Sequence, residues 1–374
     1  MKIDRPFKEG ADFDYLRAVL MKEATPGPVP IIELVADVEV MSETTGIDFP
    51  APRFAEILTM DSQPTDESMQ LGIRFMDLSL AFSQAVGYDY VTMTPLIPLH
   101  RTPMDRKENP QQDGVLRSWQ NEHQGVITSR EEFDAFEWPD INSINIVPIE
   151  YCATKMPQGM KVMVFVFGIF EDLKILMGFE PMAVKSIEEP QLCDDILERL
   201  TVLEEAAIDK AAAHPGVGAI FYAEDMGFNT ATILSPGWMR EHVIPRHKRL
   251  AAACHKHNKP FLLHSCGQVD ALIEDEIEIV GIDARHSFQD NIEPVEQVYR
   301  KYGERISILG GTDVDLLSRG TTDQVRKRAR QILEACAPRG GYCMGSGNSI
   351  TNYCKIENYY AMLDETRMWN EEHY

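Results

Sequence analysis

The chain has 374 residues, 44% hydrophobic and 25% charged, the balance of a folded globular protein with a sizeable core. It carries 36 Lys and Arg against 59 Asp and Glu, a formal net charge of −23, so neither nucleic acid nor an anionic membrane surface is an expected partner. No apolar run approaches the roughly 20 residues that span a bilayer, and the opening MKIDRPFKEGADFD lacks the apolar stretch of a signal peptide.

The expected location is therefore the cytoplasm. The seven cysteines (152, 193, 254, 266, 336, 343 and 354) read as free thiols or metal ligands rather than a disulfide frame.

In chain order, a helix is expected over 11–23, followed by the turn TPGPVP and a strand over 29–35. A helix over 66–86 leads into a strand over 88–93. The run INIVPI at 144–149 reads as a further short strand. Clearer strands follow at 161–167, 217–222, 260–264, 279–284, 305–310 and 341–344. Between them lie amphipathic stretches at 188–213, 236–257, 268–276, 292–302, 321–336 and 355–371. Ser235-Pro236 marks a helix start, with Ser at N-cap and Pro at N1. Thr321 and Thr322 before Asp323 and Gln324 mark another.

Short apolar strands alternating with helices predict a parallel α/β fold. About eight such units fit a single (β/α)8 TIM barrel over 1–374, with N-terminal and loop insertions. A doubly wound sheet is the alternative, but it would carry phosphate-binding glycines after its first strand. No glycine lies between Gly27 and Gly46.

In a barrel the working residues sit at strand C-termini. Those positions hold Glu33, Met93, Gly168, Glu224, Asp225, His264, Cys266, His286, Asp313 and Cys343. The sharpest signal is PFLLHSCG. Residues i and i+2 of a strand point the same way, so His264 and Cys266 offer nitrogen and sulfur to one point, a pair suited to zinc. Three protein ligands are expected. Cys343 is the first candidate for the third, Cys354 the second, and Glu224 or Asp225 could supply an oxygen. Glu224, Asp225 and His286 are the candidate catalytic groups. His286 could donate to a substrate oxygen, act as an acid, or bond a neighbouring loop.

The segments PFLLHSCGQV, GIDARHSFQDNIEPVEQVYRKYGERISILGGTDVDLLSRGT and GGYCMGSGNS resemble the uroporphyrinogen decarboxylase superfamily. So do AEDMGF…ILSPGWMREHVIPRHKRL and DYLRAVLMKEATPGPVPIIEL. The resemblance covers nearly the whole chain and implies one (β/α)8 barrel. It also implies one of two chemistries. The first is cofactor-free decarboxylation of uroporphyrinogen, which uses an arginine-bearing segment after the first strand; no arginine occurs here between Arg17 and Arg53. The second is zinc-dependent methyl transfer to or from a corrinoid protein. That branch carries a His-x-Cys pair, matched by His264 and Cys266, and a later glycine-flanked Cys. Here Ser346 holds that place, three residues after Cys343.

The expectation is thus a methyltransferase acting on a small methylated, methoxylated compound. Its corrinoid would arrive on a partner protein, because the chain has no Asp-x-His-x-x-Gly signature. A decarboxylase and a non-catalytic binding barrel are the alternatives, and a homodimer stays open.

Overall fold

In the computed structural model, residues 10–51, 65–101, 105–108, 116–119 and 123–374 are described. Among them, nine strands form. They are β1 (Tyr90–Met93), β2 (Asp105–Glu108), β3 (Leu116–Trp119), β4 (Lys161–Phe167), β5 (Val217–Glu224), β6 (Phe261–Ser265), β7 (Ala284–His286), β8 (Ser307–Leu309) and β9 (Tyr342–Cys343). Seven make one curled parallel sheet in the order β1-β4-β5-β6-β7-β8-β9, and β2 and β3 form a separate antiparallel pair. Every residue of β5, VGAIFYAE, is buried, as expected for a parallel strand covered on both faces.

The expected first strand, 29–35, does not form a ladder. It is reduced to isolated parallel bridges, Ile31 with Met344 and Ala36 with Ile350. Across from β9, the Tyr90 hydroxyl of β1 contacts the Glu33 backbone, accepting from its N–H (2.6 Å) and lying 2.9 Å from its carbonyl. Among the described residues an eighth strand of this sheet is thus not formed, although the chain runs where it would lie.

Three further expectations change. The run 144–149 is not a strand. Pro148 sits in the first turn of the helix Val147–Lys155, where its missing N–H costs no hydrogen bond. The stretch 279–284 enters its strand late, because a π-helical turn Glu276–Val280 closes at Gly281 before β7 begins. The helix expected over 236–257 is two helices, Pro236–His242 and Ile244–His255, with Pro245 starting the second. Ser235 and Thr321 cap as expected, accepting from Trp238 N and Gln324 N.

The helix Phe13–Leu20 covers the end of the sheet where strands begin. Its Phe13 ring packs where a side chain at Gly218 of β5 would stand. No helix among the described residues is long and apolar enough to cross a membrane.

Candidate active site at the strand C-termini

Parallel register fixes the site. Phe167 of β4 pairs with Ala223 of β5, Ala223 with His264 of β6, and His264 with His286 of β7. Paired residues share a face, so these four side chains form one layer across four strands. Cys266 stands two residues beyond His264 on the same face. The outcome is His264 Nε2 at 3.3 Å from Cys266 Sγ, and His264 Nδ1 at 2.7 Å from His286 Nδ1. The other nitrogen of His286 lies 3.1 Å from the Ser346 carbonyl oxygen.

The electrostatics keep this cluster neutral. Burial pushes the His264 imidazole well below the usual histidine value, helped by His286 and Arg285. Burial likewise brings His286 down to about 4, with its bond to Ser346 opposing. Burial and the nearby Asp225 charge raise the Cys266 thiol to about 12; bonds from Asn348 and Ser287 pull the other way. The Asn348 amide donates to Cys266 Sγ at 3.0 Å. All seven cysteines are unpaired, and Cys266 alone is more than slightly exposed.

A tetrahedral zinc ion with nitrogen at about 2.0 Å and sulfur at about 2.3 Å has an N···S edge of about 3.5 Å. The His264–Cys266 separation matches that edge, and a buried neutral imidazole beside a sulfur is the donor set zinc takes. These two residues therefore fit the metal. Among the described residues, however, no three His, Cys, Asp or Glu side chains gather closely enough to hold an ion.

The third-ligand candidates are placed elsewhere. Cys343 ends β9 as expected, yet its thiol is fully buried and its charged neighbour is Asp89, the residue before β1. Its electrostatic neighbours are Tyr15 and Tyr90, the latter the first residue of β1, and not the His264–Cys266 pair. Cys354 lies against Thr351 and Ser318. Ser346 donates its N–H to Glu33 Oε1 at 2.8 Å, and its hydroxyl bonds Glu33 Oε2. Burial lifts the Glu33 carboxyl to about 8, partly offset by those bonds.

Glu224 is committed to structure. Its buried carboxylate accepts from Phe170 N (3.1 Å) and Glu171 N (3.0 Å) at the start of the helix Ile169–Met177, and from His247 Nε2 (2.8 Å). Asp225 differs, being about half exposed with its carboxylate 3.5 Å from Lys174. Lys174 also donates to the Asp225 carbonyl at 2.9 Å and pairs with Glu171 at 2.5 Å. Burial disfavours the Lys174 ammonium, but Glu171 and Asp225 outweigh it and raise its pKa.

His286 has both ring nitrogens engaged, so neither faces a substrate. Asp313 is a helix cap, accepting from Asp315 N and Asp290 N.

Sequence reasoning missed Asn348, Ser287, Lys174 and Glu171. Asn348 lay in the glycine-rich GSGNS segment and could have been weighed there. Lys174 and Glu171 sit in a helix buried along nearly its whole length, so no amphipathic period exposed it.

Comparison with known proteins adds the following. A family model described as Uroporphyrinogen decarboxylase (URO-D) matches residues 123–369, well over half of the chain. No curated protein sequence matches. Among solved structures, a methyltransferase from Methanosarcina mazei superposes with a TM-score of 0.68 at 16% identity, covering 96% of this chain and 99% of that one. Xylanase 10B from Thermotoga maritima reaches a TM-score of 0.39 at 12% identity, covering 63% of this chain and 83% of that one. At these identities the first likeness establishes the shared fold, and the second carries no weight.

Proposed function

The chain belongs to the uroporphyrinogen decarboxylase (URO-D) family, and from that premise we propose that it is a zinc-dependent methyltransferase. It would move a methyl group between a small methoxylated compound and a corrinoid carried by a separate protein. The observation that carries this reading is the 3.3 Å approach of His264 Nε2 to Cys266 Sγ at the strand C-termini. The methyltransferase name of the Methanosarcina mazei structure supports it.

His264 and Cys266 would hold the ion. Bound zinc supplies Lewis acidity that lowers the pKa of a thiol or polarises an ether oxygen. Around it, Asn348 donates to the Cys266 sulfur and tempers its charge. Phe167 shares the His264 layer and offers an apolar wall to the substrate. Asp225 brings a half-exposed carboxylate to the same end of the sheet. The corrinoid would come on a partner, because the sequence has no Asp-x-His-x-x-Gly signature.

Decarboxylation of a porphyrinogen would need cationic groups for its many carboxylates. Arg101, which follows β1, is instead held by both oxygens of Asp172 at 2.7 Å.

The test has two readings. Metal content by mass spectrometry should give about one zinc per chain for the wild type and a clear loss for Cys266→Ala. Mixed with a reduced corrinoid protein and methoxylated donors, the wild type should convert cobalt(I) to methyl-cobalt absorbance. A wild type that stays metal-free when offered zinc, or that releases carbon dioxide from uroporphyrinogen, would reverse the assignment.

A further inference from the structure

We infer that His286 is a positioning residue: the Ser346 carbonyl dictates its tautomer, and His286 in turn presents the bare Nε2 of His264 to Cys266. The inference rests on the zinc reading only for its purpose; the proton placement follows from the contacts alone.

A carbonyl oxygen only accepts hydrogen bonds. The Ser346 oxygen lies 3.1 Å from His286 Nε2, so Nε2 must carry the proton. His286 is fully buried and its ring nitrogens meet a carbonyl oxygen and a second imidazole rather than a carboxylate, so the ring is neutral and its Nδ1 is a bare acceptor. His264 Nδ1 lies 2.7 Å from that atom and must donate to it. His264 is buried as well, and protonated at Nδ1 alone it has its lone pair on Nε2, the atom 3.3 Å from Cys266 Sγ. The opposite assignment would set a lone pair of His286 against the carbonyl oxygen.

The root of this relay is itself held. Glu33 Oε1 accepts the Ser346 N–H at 2.8 Å, and the Gly311 N–H donates to the same carbonyl at 3.2 Å. Gly310 has φ +77, and a Cβ there would run into the Ser346 carbonyl and lie 3.0 Å from His286 Nε2. Histidine ligands of metals are commonly fixed through their second nitrogen, and loss of that partner typically costs 10–100-fold in affinity. What is particular here is that a second histidine stands between ligand and carbonyl. Ser346, a serine where the family resemblance leads one to expect a cysteine, then serves the site through its backbone.

The experiment is nitrogen NMR of the metal-free, chelator-treated full chain labelled with 15N-histidine, in which protonated and bare ring nitrogens resonate far apart. In the wild type, His264 should be protonated at Nδ1 and bare at Nε2, and His286 protonated at Nε2. His264 protonated at Nε2, or His286 protonated at Nδ1, overturns the inference without needing any variant. In His286→Phe, His264 should lose its single tautomer and zinc affinity should fall 10–100-fold by chelator competition. His286→Asn keeps an acceptor toward His264 and should recover most of that loss. An unchanged His264 tautomer in His286→Phe also overturns it. Wild-type tautomers as stated in a protein that binds no zinc would instead sink the zinc reading and leave this one standing.

Discussion

Gly168→Ala and Glu224→Ala should be strongly coupled, and the structure gives the size. Gly168 sits at φ −80, ψ 151, a conformation alanine adopts freely, so its backbone exacts nothing. The added Cβ would instead overlap the Glu224 carboxyl group. That group cannot swing aside, because it is buried and held by Phe170 N, Glu171 N and His247 Nε2. Gly168→Ala alone should therefore cost about 2–3 kcal/mol, in the range of core overpacking. Glu224→Ala alone orphans three buried donors at about 1–3 kcal/mol each, less what water recovers, for a loss of about 3–5 kcal/mol.

With the carboxyl gone, the new methyl group fits, and the smaller unfolded-state freedom of alanine should return about 0.4–1 kcal/mol. The cycle thus closes with a coupling of about 3 kcal/mol, far beyond the roughly 0.3–0.5 kcal/mol expected of independent sites. Guanidinium unfolding followed by circular dichroism reads all four proteins, with metal content measured alongside. An equal cost of Gly168→Ala in both backgrounds refutes the placement of the carboxylate. A Glu224→Ala protein as stable as the wild type but stripped of zinc would make Glu224 a ligand after all.

Cys343→Ala should keep zinc affinity within about tenfold of the wild type by chelator competition, because its thiol lies toward Asp89 and not toward Cys266; a loss above roughly 100-fold would return it to the ligand set. Arg101→Met should destabilise by about 3–5 kcal/mol, since it leaves the buried Asp172 carboxylate unpaired, and Arg101→Met/Asp172→Leu should recover much of that in thermal unfolding. Glu33 titrates near 8 in the fold against about 4.5 unfolded, so its protonated form suits the native state. Its contribution is intact below the unfolded value and is lost as pH rises toward 8, at up to about 1.4 kcal/mol per pH unit. Glu33→Gln should flatten that decline; parallel stability curves for variant and wild type between pH 5 and 8 would contradict it.

What could be read from the residues was periodicity, and what could not was height and depth. The runs KVMVFVF and VGAIFY are apolar on both faces, and they became β4 and most of β5. The i, i+2 spacing of His264 and Cys266 lies inside one strand, so their approach was legible. The run IVGIDA has the same β-branched look, but Glu276–Val280 forms a π turn and the strand waits for Ala284. Cys343 shows the limit best. Its place at a strand end was right, yet a barrel-like sheet staggers its strands, so strand ends need not reach one level. Only the register reveals that His264 and His286 are level, and only the folded chain sets the Cys343 thiol beside Asp89, at the start of β1, rather than beside that pair. The bonds that support the site obey the same rule. Ser346 meets Glu33 across 313 residues and His286 across 60. No local pattern encodes such pairs; they exist because the sheet brings its last strand back beside the chain's first apolar run.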